Sequence, residues 1–352
     1  MVGKQYEPGV LTDTKNLSLD QWLEYRRLGI GGSDVGAILG LSPFRTARDI
    51  YFDKIGMKFA NEQKDNWVAL EIGHLLEDLV AQIFSEQTGL NIFQEKKMFF
   101  HPDYPFMLAD LDYLVTMPDG TIAILEIKTT NYHARNHWWK DGKEVVPAYY
   151  EVQARHYMAV RGVEHAFFCC LYGNNESEVI IRHLQRDRQY EEELIFSEEY
   201  FWNNHVEKRI PPPYTENGDL IMRSLARSKH LPNKTEASVQ LPSNSSKNLE
   251  KYLSLQQEKK EIDEKSRLLE KEIQRLKALI IEEMGHNCIA DCQVNGRPYT
   301  ISYIPYLKPN ISAENLKKLE LLHPDLYEQY VTMTETRRFL VKVKKDEDSL
   351  SA

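Results

Sequence analysis

A tight turn fixes two acids and a lysine against one another, and few folds satisfy that arrangement. The turn is Met117-Pro118-Asp119-Gly120, with Pro early and Gly late. Asp112 and Glu126 lie equally far from position 119, so a hairpin over residues 106–129 sets them opposite each other. Strand side chains alternate, so Glu126 and Lys128 share a face with Ile122 and Ile124. Carboxylates on an apolar strand face are costly to desolvate unless something compensates them. A divalent metal does so: two carboxylates and a backbone carbonyl are hard oxygen ligands suited to Mg²⁺ or Mn²⁺. The lysine then orients a water or neutralises charge on a phosphate. The plainer reading of the same residues is a surface ion pair between Glu126 and a cation.

The chain has 352 residues, 42% hydrophobic, enough for one large domain and a smaller module. Its formal net charge of -9 excludes a molecule that is basic all over. Any DNA contact must come from a local positive patch or from metal. Cys169 and Cys170 sit in an apolar run that reads as a buried strand, on opposite faces, and Cys288 and Cys292 lack zinc-site spacing. All four read as reduced and structural. With no signal peptide and no membrane-length apolar run, the expectation is a soluble, cytoplasmic protein with no membrane partner.

Helices and strands alternate, so the core reads as α/β. Residues 1–18 read as an arm. Asp20 to Arg27 is a helix, followed by a glycine-rich turn and a short second helix. Residues 65–88 form an amphipathic helix, and the hairpin follows. A loop rich in His, Trp and Lys (Tyr132 to Lys143) leads to a helix from Pro147 to Val160. Strands follow at 166–173 and 178–186, then a helix from Glu191 to Lys208 that stops at three prolines. The domain boundaries read as 1–214 for the core, 215–247 for a linker, 248–286 for a long helix and 287–352 for a small α+β module. In the long helix Leu255, Ile262, Leu269 and Leu276 recur every seventh residue, a coiled-coil pattern over roughly 50 Å. It pairs with another chain or folds back on its own. The tail reads as strands at Arg297–Tyr306 and Arg338–Lys344 around a helix at Ser312–Leu322.

Three further segments bear on the hairpin. On the helix 65–88, Glu77 shares a stripe with Gly73, Val80 and Phe84. It is either a third acid for the metal or an edge glutamate that turns to water. In Arg26-Arg27-Leu28-Gly29-Ile30-Gly31-Gly32-Ser33-Asp34, Ser33 or Asp34 can cap the next helix, and Arg26 with Ser33 can hold a phosphate oxygen. Glycine-rich caps are also commonly structural. Gln153, one helical turn from Tyr149, Tyr150 and Tyr157, fixes a water or a phosphate, or is a satisfied core amide.

Taken in order, Arg26…Gly31-Gly32-Ser33-Asp34, Gly73…Glu77, Leu111-Asp112, Glu126-Ile127-Lys128-Thr129-Thr130 and Pro147…Gln153…Tyr157 resemble the YqaJ-type viral recombinase nucleases over residues 18–210. These are relatives of phage lambda exonuclease in the PD-(D/E)XK superfamily. The C-terminal helix and β module resemble extensions on phage and prophage members. The resemblance implies a restriction-endonuclease-like core: a mixed central sheet flanked by helices, with the coiled-coil helix and β-containing appendage added. It implies a Mg²⁺-dependent (or Mn²⁺-dependent) 5′-to-3′ exonuclease on double-stranded DNA. Such an enzyme releases 5′-mononucleotides and leaves 3′ overhangs for a single-strand annealing recombinase. By resemblance, Asp112, Glu126, the Ile127 carbonyl and Glu77 serve metal. Lys128 activates water, Gln153 supports the site, and Arg26 and Ser33 hold the terminal 5′-phosphate. A homo-oligomer is implied, with a ring trimer around DNA as one form. One departure stands out. The aspartate of the lambda enzyme lies in a Pro-Asp-Gly triplet, whereas Pro118-Asp119-Gly120 here is the hairpin turn and the matching position is Asp112, with Asp110 as a lesser alternative. The alternative functions are a structure- or site-specific endonuclease of the same superfamily and a DNA-end binding or scaffold protein that has lost catalysis.

Overall fold

Gly120 closes the turn at φ 83°, and its amide bonds the Met117 carbonyl at 2.9 Å. A computed structural model describes residues 6–57, 67–227, 242, 243, 245–308, 313–330 and 334–343. The chain divides into two compact units, Met1–Glu236 and Ala237–Ala352.

In chain order the first unit holds β1 (Gly9–Asp13), α1 (Leu19–Arg27), β2 (Ile30–Gly31), α2 (Gly32–Ile38), α3 (Ala47–Lys54), α4 (Trp67–Thr88), β3 (Asn91–Phe93), β4 (Lys97–Phe100), β5 (Met107–Asp110) and β6 (Tyr113–Thr116). There follow β7 (Ile122–Thr129), β8 (Trp139–Lys140), β9 (Lys143–Glu144), α5 (Ala148–Arg161), β10 (His165–Leu171), β11 (Val179–Gln185), α6 (Arg188–Phe201) and α7 (Gly218–Arg227).

The central sheet runs β11-β10-β7-β6-β3. Only β7 and β10 are parallel; the other neighbours are antiparallel. Alternation along β7 decides what each face meets. Ile124 packs with Phe168, Cys170 and the α5 residues Ala154, Tyr157 and Met158. Leu125 and Ile127 pack with Cys169 and the α4 residues Val80, Ala81 and Phe84. The result is a mixed sheet between helices, the α/β core expected of a restriction-endonuclease-like fold. The adjacent cysteines do face opposite sides, both buried, whereas Cys288 and Cys292 are exposed; all four are free. A second sheet runs β1-β4-β5-β2.

The structure departs from the sequence reading in several places. The first arm of the hairpin is split. Met107–Asp110 pairs in the second sheet and only Tyr113–Thr116 pairs with β7, so the chain changes sheet at Leu111-Asp112. The N-terminal arm contains an edge strand, β1, paired with β4, and Tyr6 donates its hydroxyl to the Ala159 carbonyl. The helix before the three prolines ends as a π-helical turn at Trp202–Val206. Part of the expected linker is α7, an amphipathic helix docked by Ser224 and Arg227, both of which donate to the Asp49 carboxylate. Residues 1–5, 228–241, Asp65, Asn66, Ser312 and Lys344 fall at the ends or interior of expected segments and lie outside the described residues.

The second unit holds α8 (Ser245–Met284), β12 (Ile289–Val294), β13 (Arg297–Lys308), α9 (Ala313–Leu322), α10 (Pro324–Tyr330) and β14 (Thr334–Val343). Its three strands form one antiparallel sheet, β12-β13-β14.

Candidate active site

The register of β6 against β7 pairs Tyr113 with Leu125 and Leu114 with Ile124, so Asp112 meets Glu126 one step beyond the ladder. Where the ladder stops, the Asp112 carboxylate replaces a strand carbonyl and accepts the Ile127 amide at 2.8 Å. Glu126 is buried. Its Oε1 accepts from Lys128 Nζ at 2.6 Å and from the Gln153 side-chain amide of α5. Its Oε2 is buried with no hydrogen-bond partner. Asp112, Glu126, Lys128 and Gln153 therefore form one cluster, as the sequence reading requires. Lys128 Nζ also lies 4.9 Å from the centre of the Tyr150 ring.

The electrostatics follow from this crowding. Burial, then Asp112, pushes the Glu126 carboxyl up to about 8. Burial likewise raises Asp112, against the pull of Lys128 and the Ile127 amide. For Lys128 burial acts to lower the pKa, but the two carboxylates outweigh it and hold the ammonium charged. Two neighbouring acids kept from ionising chiefly by burial, with one oxygen left unpaired, are a natural fit for a divalent cation. Among the described residues, no three His, Cys, Asp or Glu side chains converge as a ligand group. The fit therefore rests on Asp112, Glu126 and backbone oxygen. Glu77 is half-buried on α4, and its pKa is raised by burial and then by the Asp112 charge. It lies in the field of the site without joining the cluster. Asp110 is turned away: its Oδ2 accepts from Trp22 Nε1 at 2.5 Å. Asp119 holds Thr121 at the turn, at 2.9 Å to the amide and 2.6 Å to the hydroxyl.

Arg26 and Ser33 meet as expected, Nη2 to Oγ at 2.7 Å. Arg26 also pairs with Asp34 at 3.1 Å and lies over the Trp22 ring, whereas Arg27 pairs with Asp53. Asp34 in turn pairs with buried Lys54 at 2.8 Å. Burial alone would raise the Asp34 pKa; Arg26 and Lys54 reverse that and hold it well below the usual carboxylate range. The Gly31 amide at the start of α2 is taken by Asp34 Oδ2 at 3.0 Å. An anion here would therefore be met by the Arg26 and Ser33 side chains. The glycines serve close approach. A Cβ on Gly31 would stand 2.9 Å from Arg26 Nη2, and one on Gly32 would stand 2.6 Å from the Tyr157 ring. Tyr157 thus joins the two clusters, its hydroxyl 3.5 Å from Gln153 Nε2. The sequence reading assigned no role to Trp22 and Lys54, because each acts through a partner distant in sequence.

The sequence pattern of the YqaJ-like viral recombinase domain matches residues 21–164, a span that holds both clusters. A protein of Bacillus subtilis strain 168, named as uncharacterized protein YqaJ, is 30% identical over 345 residues, covering 97% of this chain and 99% of that one. The chain belongs to the YqaJ family. Among solved structures it is similar to an alkaline exonuclease from Laribacter hongkongensis, at 18% identity and TM-score 0.44, covering 59% of this chain and 98% of that one. It is also similar to a phage-related exonuclease from Haemophilus somnus 129PT, at 14% identity and TM-score 0.37, covering 53% of this chain and 99% of that one. No helix among the described residues is long and apolar enough to cross a membrane.

Proposed function

We propose that this chain is a divalent-metal-dependent exonuclease that degrades one strand of duplex DNA from its 5′ end. On this reading it releases 5′-mononucleotides and leaves a 3′ overhang for an annealing protein during recombination. The observation that carries the proposal is the buried, unpaired Glu126 Oε2 beside Asp112 and Lys128. Membership of a viral recombinase family points the same way.

The residues divide the work. Asp112, pinned by the Ile127 amide, and Glu126, pinned through its other oxygen, would hold Mg²⁺ or Mn²⁺ together with the Ile127 carbonyl. When bound, the cation supplies Lewis acidity toward the scissile phosphate and lowers the pKa of water. Lys128 places a fixed positive charge where the attacked phosphate gains negative charge. Gln153 locks the Glu126 rotamer, so the carboxylate need not reorganise during the reaction. Glu77 supplies a further negative charge at the edge of the site, in reach of a second cation or of solvent. Arg26 and Ser33 would take the terminal 5′-phosphate, and Tyr157 fixes that pocket against Gln153.

The test is digestion of 5′-phosphorylated linear duplex in Mg²⁺. Lys128→Ala should abolish it while leaving DNA binding intact; normal digestion by that variant means the site is misassigned. Closed circular duplex run alongside should survive the wild-type protein. Cutting of the circle would replace the exonuclease reading with an endonuclease.

A further inference from the structure

We propose that α8 joins two copies of this chain in a parallel, in-register, two-stranded coiled coil. The helix runs 40 residues, about 60 Å. Leu255, Ile262, Leu269 and Leu276 are each between 46% and 62% exposed, so the described residues leave this seam uncovered. These four occupy one core position of the heptad. Tyr252, Ile273 and Ile280 occupy the other, which also carries Lys259 and Ser266. β-Branched residues at the second position with Leu at the first favour two strands.

Charge selects the occupant and its direction. In a parallel pair each residue just before the seam meets the residue five positions further along the second copy. Lys265 then meets Glu270 of the second copy, and Glu272, which also pairs with Arg275 of its own helix at 2.7 Å, faces Lys277. Two-fold symmetry makes each pair occur twice. One repulsive pair, Glu258 with Asp263, weakens the N-terminal end. An antiparallel pair in the matching register would exchange the two attractive contacts for one attraction, Lys265 facing Glu272, offset by one repulsion, Asp263 facing Glu270. Lys259 and Ser266 in the core lower affinity but fix the register, because a shifted alignment would bury them against Leu or Ile.

The test is sedimentation of the full-length protein over a wide concentration range in low salt. Wild type should double in mass as concentration rises, and Ile262→Asp, which places two carboxylates in the seam, should abolish that doubling while leaving any assembly made by the first unit. Lys265→Glu should raise the Kd about tenfold, since two attractive pairs become repulsive. Adding Glu270→Lys to it should restore the Kd to within about twofold. All three changed side chains are on an exposed helix face, so folding of the rest is not at issue. A wild type that stays monomeric overturns the proposal, and so does an Ile262→Asp protein that associates as before. Failure of the double exchange to restore the Kd overturns the parallel register. These readouts are independent of nuclease activity.

Discussion

Gly32→Ala tests whether the phosphate pocket and the metal site are one rigid unit. An added Cβ would lie 2.6 and 2.7 Å from two Tyr157 ring carbons and 3.1 Å from Gln153 Cγ. Carbon atoms prefer about 3.5–4.0 Å, so α2 and α5 must separate by roughly 1 Å. Tyr157 is buried and cannot swing away. Overpacking of this kind costs about 1–3 kcal/mol, which for a unit of this size lowers Tm by roughly 3–10 °C. Gln153 moves with α5 and carries the Glu126 carboxylate with it. A 1 Å displacement of a reacting group costs about 100-fold in rate. The assay is initial nucleotide release from 5′-phosphorylated linear duplex, paired with a thermal melt. Gly73→Ala is the companion: its Cβ would meet only Thr129 Oγ1, at an ordinary 3.6 Å. That helix-interior change should stabilise by about 0.5–1 kcal/mol. Wild-type rate and melting temperature for Gly32→Ala would refute the argument that this contact positions the site.

Gln153→Ala frees Glu126 Oε1 from one of its two donors. The cation concentration for half-maximal digestion should rise about 10–100-fold, with activity recovered at high cation; no shift would mean Gln153 is only a core amide. Asp119→Asn should leave digestion unchanged, because that carboxylate serves the turn, whereas Asp112→Asn should abolish it. The buried His156–Glu198 pair, at 2.9 Å, carries a pH dependence. Burial acts to lower the His156 pKa, but Glu198 outweighs it and the net shift is upward; burial raises Glu198. The folded pair therefore keeps protons that the unfolded chain has released, and stability falls as pH rises above about 6.5. One proton sets the upper limit of that slope at about 1.4 kcal/mol per pH unit. Denaturant titrations of wild type and Glu198→Gln between pH 6 and 9 measure it, and a variant that keeps the full slope would contradict the assignment.

The hairpin was legible because local rules fix it. Turn chemistry sets the register, and period two sets the face, so Glu126 and Lys128 had to lie together opposite Asp112. Gln153 and Tyr157 followed from helical spacing. What sequence did not reveal depends on partners far apart along the chain. Asp110 and Asp112 share a face by parity, and only Trp22 on α1 separates their roles. The sheet change at Leu111-Asp112 carries no turn residue. α7 reads as polar linker because it is short and its docking combines one fully buried apolar residue, Leu220, with hydrogen bonds to Asp49 on α3. Gly31 and Gly32 read as part of a glycine-rich cap, and nothing local in sequence names their close neighbours, Arg26 and Tyr157.

The measurement closest to the central claim compares wild type with Glu126→Gln on linear 5′-phosphorylated duplex, across Mg²⁺ and Mn²⁺ concentrations and with chelator. Wild type should digest only when the cation is present, and the variant should lose more than about 100-fold in rate while still binding DNA ends. Digestion by wild type in excess chelator, or by Glu126→Gln at the wild-type rate, would contradict a cation held between these two acids.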